Sequence, residues 1–169
     1  MTALPTRTTA LLTGAILALS AAPALAQRVA PATAATPAAK PRFGLPGPDR
    51  MRVTAALGGE LHGIEGSDTL AGGTGPDRLY GETGADTVHG GAGDDVVDGG
   101  SGDDRLAGDD GSDRVYGGFG HDTLDGGPGN DAIDGGAAPD AISAGDGDDL
   151  VHGGSSTCLS YTSPSPRDS

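Results

Sequence analysis

Aspartate returns at every ninth position across the middle of the chain, at Asp68, Asp77, Asp86, Asp95, Asp104, Asp113, Asp122, Asp131, Asp140 and Asp149. A short carboxylate repeated at fixed spacing among glycines suits a hard cation, because turns that offer carboxylate and backbone carbonyl oxygens give the flexible all-oxygen surroundings that calcium takes. Magnesium demands stricter geometry and zinc prefers nitrogen or sulfur, so calcium is the expected ion. From Gly63 to His152 there are 21 acidic residues against Arg78, Arg105 and Arg114, a net charge of 3 − 21 = −18. Such a segment attracts cations and repels nucleic acid. Residues for other chemistries are missing: there is no H-E-x-x-H, G-x-S-x-G or Walker loop, and no enzyme activity is expected. The four histidines, His62, His89, His121 and His152, are scattered, with His89 and His152 at the ninth place of their units and His121 at the fifth. They are expected to face solvent rather than to bind zinc.

The aspartates belong to a longer pattern. From Gly63 to His152 the chain divides into ten consecutive nine-residue units without insertion or deletion, from GIEGSDTLA through GGSGDDRLA to AGDGDDLVH. Place six is Asp in all ten, and place eight is Leu, Val or Ile in all ten. Places one and four are Gly in nine units each, and place two in seven. A repeat this regular is the first fact any fold must explain.

The glycine-rich first six residues read as a tight turn, and the x-aliphatic-x ending reads as a very short strand with the aliphatic pointing inward. Turn and strand then alternate every nine residues, two units make one coil, and strands of units n and n+2 stack in parallel. The expected fold is all-β, a right-handed parallel β-roll. Ile64, Glu82 and Asp109 stand at place two of units one, three and six, and Ala144 at place one of unit ten. These are tolerable where the backbone angle φ is negative. Unit nine has Ala138-Pro139 before Asp140, which restricts its turn.

The pattern resembles the repeats-in-toxin (RTX) family, with its G-G-x-G-x-D-x-U-x signature. The resemblance covers 90 of 169 residues. It implies a calcium β-roll in which ions sit between successive coils, held by aspartate carboxylates and glycine-rich backbone carbonyls. Carried over by position, the implied metal residues are the ten place-six aspartates. Pairing units n and n+2 gives at most eight complete sites. Stacked carboxylates repel without cations, and glycine-rich chains lose much entropy on ordering, so folding is expected to depend on calcium.

The flanks read differently. Arg7, an apolar run from Ala10 to Ala22 and small residues before Gln27 read as a secretory signal, residues 1–26, cut after Ala26. The run is short for a bilayer span, so export and an extracellular location are expected, without membrane insertion. Residues 27–50, rich in Ala, Pro and Thr, read as an extended linker, either a spacer or a leader with no task. Residues 51–62 read as an N-terminal cap: Glu60-Leu61-His62 repeats the strand half of a unit, with Gly59 where the acid belongs, and Met51 to Leu57 can add a covering strand. Residues 153–169 read as a truncated repeat and a tail that shares neither composition nor phase with the roll, either non-native or a natural disordered end. The single Cys158 lies there and cannot form an internal disulfide. Two functional readings follow: a secreted calcium-binding module with a structural or surface-interaction role, or the N-terminal fragment of a larger secreted toxin or hydrolase. A roll end left open would be prone to self-association.

Overall fold

A computed structural model describes residues 40–54, 56–155 and 160–162. The residues read as a secretory signal, and most of those read as linker and tail, lie outside the described residues. Among the described residues, fourteen strands form two seven-stranded parallel sheets. One holds β1 (Arg42–Phe43), β3 (Glu60–Glu65), β5 (Arg78–Thr83), β7 (Val96–Ser101), β9 (Arg114–Phe119), β11 (Ala132–Ala137) and β13 (Leu150–His152), hydrogen-bonded in that order. The other runs from β2 (Arg50–Arg52) through β4 (Thr69–Ala71), β6 (Thr87–Ala92), β8 (Arg105–Asp110), β10 (Thr123–Asp125) and β12 (Ala141–Ser143) to β14 (Ser160–Thr162). Successive strands alternate between the sheets. This is the expected parallel β-roll, and among the described residues there is no helix.

Register follows from the eighteen-residue coil. Leu79 lies opposite Val97 and Val97 opposite Val115 in one sheet; Val88 lies opposite Leu106 and Leu106 opposite Leu124 in the other. The place-eight residues therefore stack into one interior column per sheet. Leu70, Leu79, Val88, Val97, Leu106, Val115, Leu124, Ile133 and Ile142 are buried, and Val151 is half-buried. Each fully buried side chain contributes roughly 1.5–3 kcal/mol. A slip of one residue would turn the whole column outward, so the pattern fixes the register.

Three sequence expectations need correction. Seven of the fourteen strands are six residues long rather than three, because in them places one to three continue the coil-to-coil pairing and only places four to six turn. The linker reading ends too late: β1 pairs with β3, so the proline-rich segment joins the roll at Arg42. The roll also extends past the expected truncation, since β14 pairs with β12. Tyr161 lies opposite Ile142, an offset of 161 − 142 = 19 where the repeats have 18, which is the phase break visible in the sequence.

The head coil holds a unit that strict nine-residue counting overlooks. Gly44 to Arg52 read GLPGPDRMR, with Gly at places one and four, Asp49 at place six and Met51 at place eight. Ten residues, Val53 to His62, rather than nine separate it from unit one, so Met51 lies opposite Leu70 at an offset of 70 − 51 = 19.

Candidate metal centre

Each loop carries its aspartate at the point where the turn re-enters a strand, and the coil repeat arranges these residues in two columns along the two edges of the roll. One column is Asp68, Asp86, Asp104, Asp122 and Asp140; the other is Asp77, Asp95, Asp113, Asp131 and Asp149. All are buried except Asp149, which is half-buried on the last coil. The structure thus places all ten sequence-derived residues in the two columns, eight of them in the same local setting and Asp77 and Asp149 in altered ones.

Burial of a carboxylate requires partners. One oxygen has them: Oδ1 accepts the backbone N–H of the aspartate one coil earlier, at 2.7 Å from Asp68 to Asp86, 2.8 Å from Asp86 to Asp104, 2.9 Å from Asp104 to Asp122 and 3.0 Å from Asp122 to Asp140. The second column repeats this from Asp77 to Asp95 through to Asp131 and Asp149. The other oxygen is different. Oδ2 of Asp68, Asp86, Asp95, Asp104, Asp113, Asp122, Asp131 and Asp140 is buried with no hydrogen-bond partner. Leaving so many acceptors unpaired in a low-dielectric interior is costly unless something else satisfies them.

The place-one glycines mark where that something fits. A Cβ built on Gly81 or Gly99 would fall within 3.0 Å of Oδ2 of its own unit's aspartate and of the carbonyl oxygen of the place-one glycine one coil on. The same holds for Gly63, Gly90, Gly108 and Gly117. These glycines do not have positive φ, so the space, rather than backbone freedom, requires the missing side chain. Each cradle presents one carboxylate oxygen and nearby carbonyl oxygens. Among the described residues no three His, Cys, Asp or Glu side chains converge on one point, because the columns supply one carboxylate per coil.

Asp77 and Asp149 depart from the pattern. Gly73 N–H donates to Asp77 Oδ2 at 2.6 Å, and unit two is the one repeat whose place-two and place-four glycines, Gly73 and Gly75, both lack positive φ. Unit ten carries Ala144 at place one, and its Asp149 is less buried. Unit nine is less disturbed than its sequence suggests: Ala138 takes φ 87° and Asp140 keeps its bond from Asp122. The condition that would make the place-two residues easy to accommodate is not met, since Ile64, Glu82 and Asp109 all adopt positive φ, at 88°, 74° and 68°. The repeat imposes this conformation on residues that disfavour it, most of all on the β-branched Ile64.

Electrostatics point the same way as geometry. Burial pushes Asp95 up to about 7, despite the N–H bond from Asp77, and the neighbouring Asp113, Asp77 and Asp109 add to the shift. Burial and stacked neighbours likewise raise Asp104 and Asp113 to about 6. Asp68, Asp77, Asp86, Asp122, Asp131 and Asp140 are raised as well, each chiefly by burial. A column of carboxylates that resists ionisation binds either protons or cations.

Asp49 extends the first column. Its N–H donates to Asp68 Oδ1 at 2.7 Å, and a Cβ on Gly44 would meet Asp49 Oδ2 and the Gly63 carbonyl; unlike most of the repeat aspartates, Asp49 is half-buried and its Oδ2 accepts the Leu45 N–H at 2.6 Å. The G-x-x-G-x-D-x-U-x spacing of residues 44–52 was the available signal, hidden by the ten-residue interval that follows. Sequence reading also missed a second ladder at place five. There Asp94 Oδ1 accepts the N–H of Ser112 and Asn130 Oδ1 that of Asp148, at 3.1 and 3.0 Å, in the direction opposite to the place-six bonds.

The histidines do not assemble a zinc site. His89, His121 and His152 are exposed as expected. His62 is not: its ring stacks between Phe43 and Tyr80, with both centroid distances 4.7 Å, and its two nitrogens face Glu82 at 2.8 Å and Glu60 at 2.9 Å. Desolvation works to lower its pKa, but the two carboxylates prevail and raise it.

Comparison with known families gives a match to the sequence model of the RTX calcium-binding nonapeptide repeat (4 copies), at residues 62–97, 89–124, 98–133 and 125–156. Searches of curated proteins and of solved structures returned no match.

Proposed function

Since the chain belongs to the RTX calcium-binding nonapeptide repeat family, matched over residues 62–156, we propose that it is an exported protein whose repeat region folds on calcium and serves a structural or surface-interaction role. The carrying observation is the set of eight buried Asp Oδ2 atoms with no partner, each beside a glycine cradle. The residues that would hold the ions are Asp68, Asp77, Asp86, Asp95, Asp104, Asp113, Asp122, Asp131, Asp140 and Asp149, together with carbonyl oxygens of the glycine loops. Asp49 joins them on the head coil. Bound calcium supplies the counter-charge that the carboxylate columns lack and links adjacent coils.

The chain does the rest. Oδ1 of each aspartate fixes the carboxyl orientation through the N–H of the coil before, so Oδ2 is held toward the cradle. The place-one glycine keeps that space open. The aliphatic column excludes water from behind the carboxyl groups, which strengthens their interaction with a cation. Ion binding then becomes folding free energy. Extracellular modules of this kind work with affinities of about 0.1–1 mM, which suits a chain that stays unfolded where calcium is scarce and folds after export. This reading includes no catalytic step.

Circular dichroism of the full chain, stripped of metal and then titrated with calcium to millimolar concentration, tests the proposal. Strand signal that rises with calcium is the expected result. Full strand content before any calcium is added would overturn it.

A further inference from the structure

We propose that the calcium-loaded roll binds a second copy of itself head to tail, with the basic coil around β1 and β2 seated on the acidic coil around β13. The inference rests on the folding role of calcium above. Charge is divided along the roll axis. Lys40, Arg42, Arg50 and Arg52 surround the single Asp49 at the head, whereas no Lys or Arg occurs between Arg114 and Arg167, and Asp146 and Asp148 are exposed near the tail. Like ends repel and unlike ends attract, which selects one orientation of approach.

Strand geometry permits that orientation. β1 and β13 are the two outermost strands of the same parallel sheet, so a copy laid end on end continues the sheet without reversing direction. The side chains also match. In the head coil Phe43 lies opposite His62 and stacks on its ring at 4.7 Å. At the tail, place nine of β13 is His152, whose side chain is 73 % exposed. In the same register a second copy's Phe43 would stack on His152 as it does on His62. Apolar exposure is concentrated at these ends: Phe43, Leu45 and Leu57 at the head and Leu150 at the tail are four of the six large hydrophobic side chains exposed among the described residues. A hollow of about 330 Å³ lined by Arg42, Phe43, Leu45, Asp49, Arg50 and Met51 opens on the head. The contact joins different surfaces of the two copies and does not close, so it leads to linear chains rather than dimers.

Sedimentation velocity of the full chain in millimolar calcium, across a range of protein concentrations, reads the association. The wild type is expected to form a concentration-dependent series of species that high salt dissolves. K40E/R50E and D148K are each expected to weaken association by about tenfold or more, and the triple variant K40E/R50E/D148K to recover part of it, because the charges are exchanged between ends. H152A should weaken association severalfold and H152Y should keep it. Calcium-induced dichroism, measured on every variant, must match the wild type. A failure there marks failure of the folding reading rather than of the contact. A wild type that stays monomeric after folding on calcium would overturn the proposal. So would association lost in K40E/R50E but untouched in D148K and H152A, which would mean that the head takes some other acidic surface.

Discussion

Asp86 donates its backbone N–H to Asp104 Oδ1 at 2.8 Å, while Asp104 Oδ2, in the same carboxyl group, is buried without a partner. One half of the side chain therefore holds the coil and the other half is the one proposed to meet a cation, and substitutions can separate the two roles. Asp104→Asn keeps an acceptor for Asp86 but removes the charge, so the calcium midpoint of the dichroism titration should rise severalfold with the folded end state intact. Asp104→Ala removes both roles and should cost about 1–3 kcal/mol more. Equal behaviour of the two variants would contradict the division.

The raised carboxylates give the metal-free chain an unusual response to acid. Asp95 is pushed up to about 7 and Asp104 and Asp113 to about 6, all above the ordinary 3.8, so the folded state binds protons that the unfolded state has released. Stability then falls as pH rises between about 4 and 7, since the unfolded chain binds fewer protons across that window. Metal-free protein should show more strand at about pH 4.5 than at about pH 7.5, and the calcium midpoint should rise as pH falls because ions must displace protons. The opposite ordering in metal-free buffer would show that the aspartates are ionised and satisfied without metal.

Gly99 tests the cradle. A Cβ there would come within 3.0 Å of Asp104 Oδ2 and the Gly117 carbonyl, and its φ is not positive, so Gly99→Ala acts through space alone. A loss of about 1–3 kcal/mol in calcium-loaded stability is expected, with a weaker calcium response. Chemical denaturation at saturating calcium measures it. An unchanged midpoint would mean that the space has no role.

Asp109 tests the opposite property. It holds φ 68° in β8 at a place where glycine is usual, and its side chain, partly exposed, makes one long contact of 3.3 Å to His89 Nδ1. Asp109→Gly should raise calcium-loaded stability by about 0.5–1 kcal/mol in thermal unfolding.

Much of this architecture is legible in the residues. The invariant Asp68 to Asp149 series and the aliphatic eighth place fix the coil length, the sheet assignment and the inward face, because only one register buries Leu79, Val97 and Val115 together. Strand length is not legible: glycine at places one to three signals a turn, yet these residues pair coil to coil, since a glycine backbone can extend when its neighbours supply the ladder. The roles of the glycines are hidden for the same reason. Gly99 is needed for space alone, and Gly100, at φ 97°, for conformation as well as for space beside the Glu82 backbone, although the letters are alike. Asp49 escaped notice because a single inserted residue between Val53 and His62 breaks the count without breaking the stack. His62 could not be placed without Phe43, whose proline-rich surroundings resemble a linker.

The most direct measurement is calorimetric titration of calcium into the metal-free full chain, with strand content followed on the same samples. The account predicts uptake of several ions per chain at submillimolar to millimolar calcium, with heat and strand signal rising together. No uptake at millimolar calcium, or uptake without any gain of strand, would contradict it.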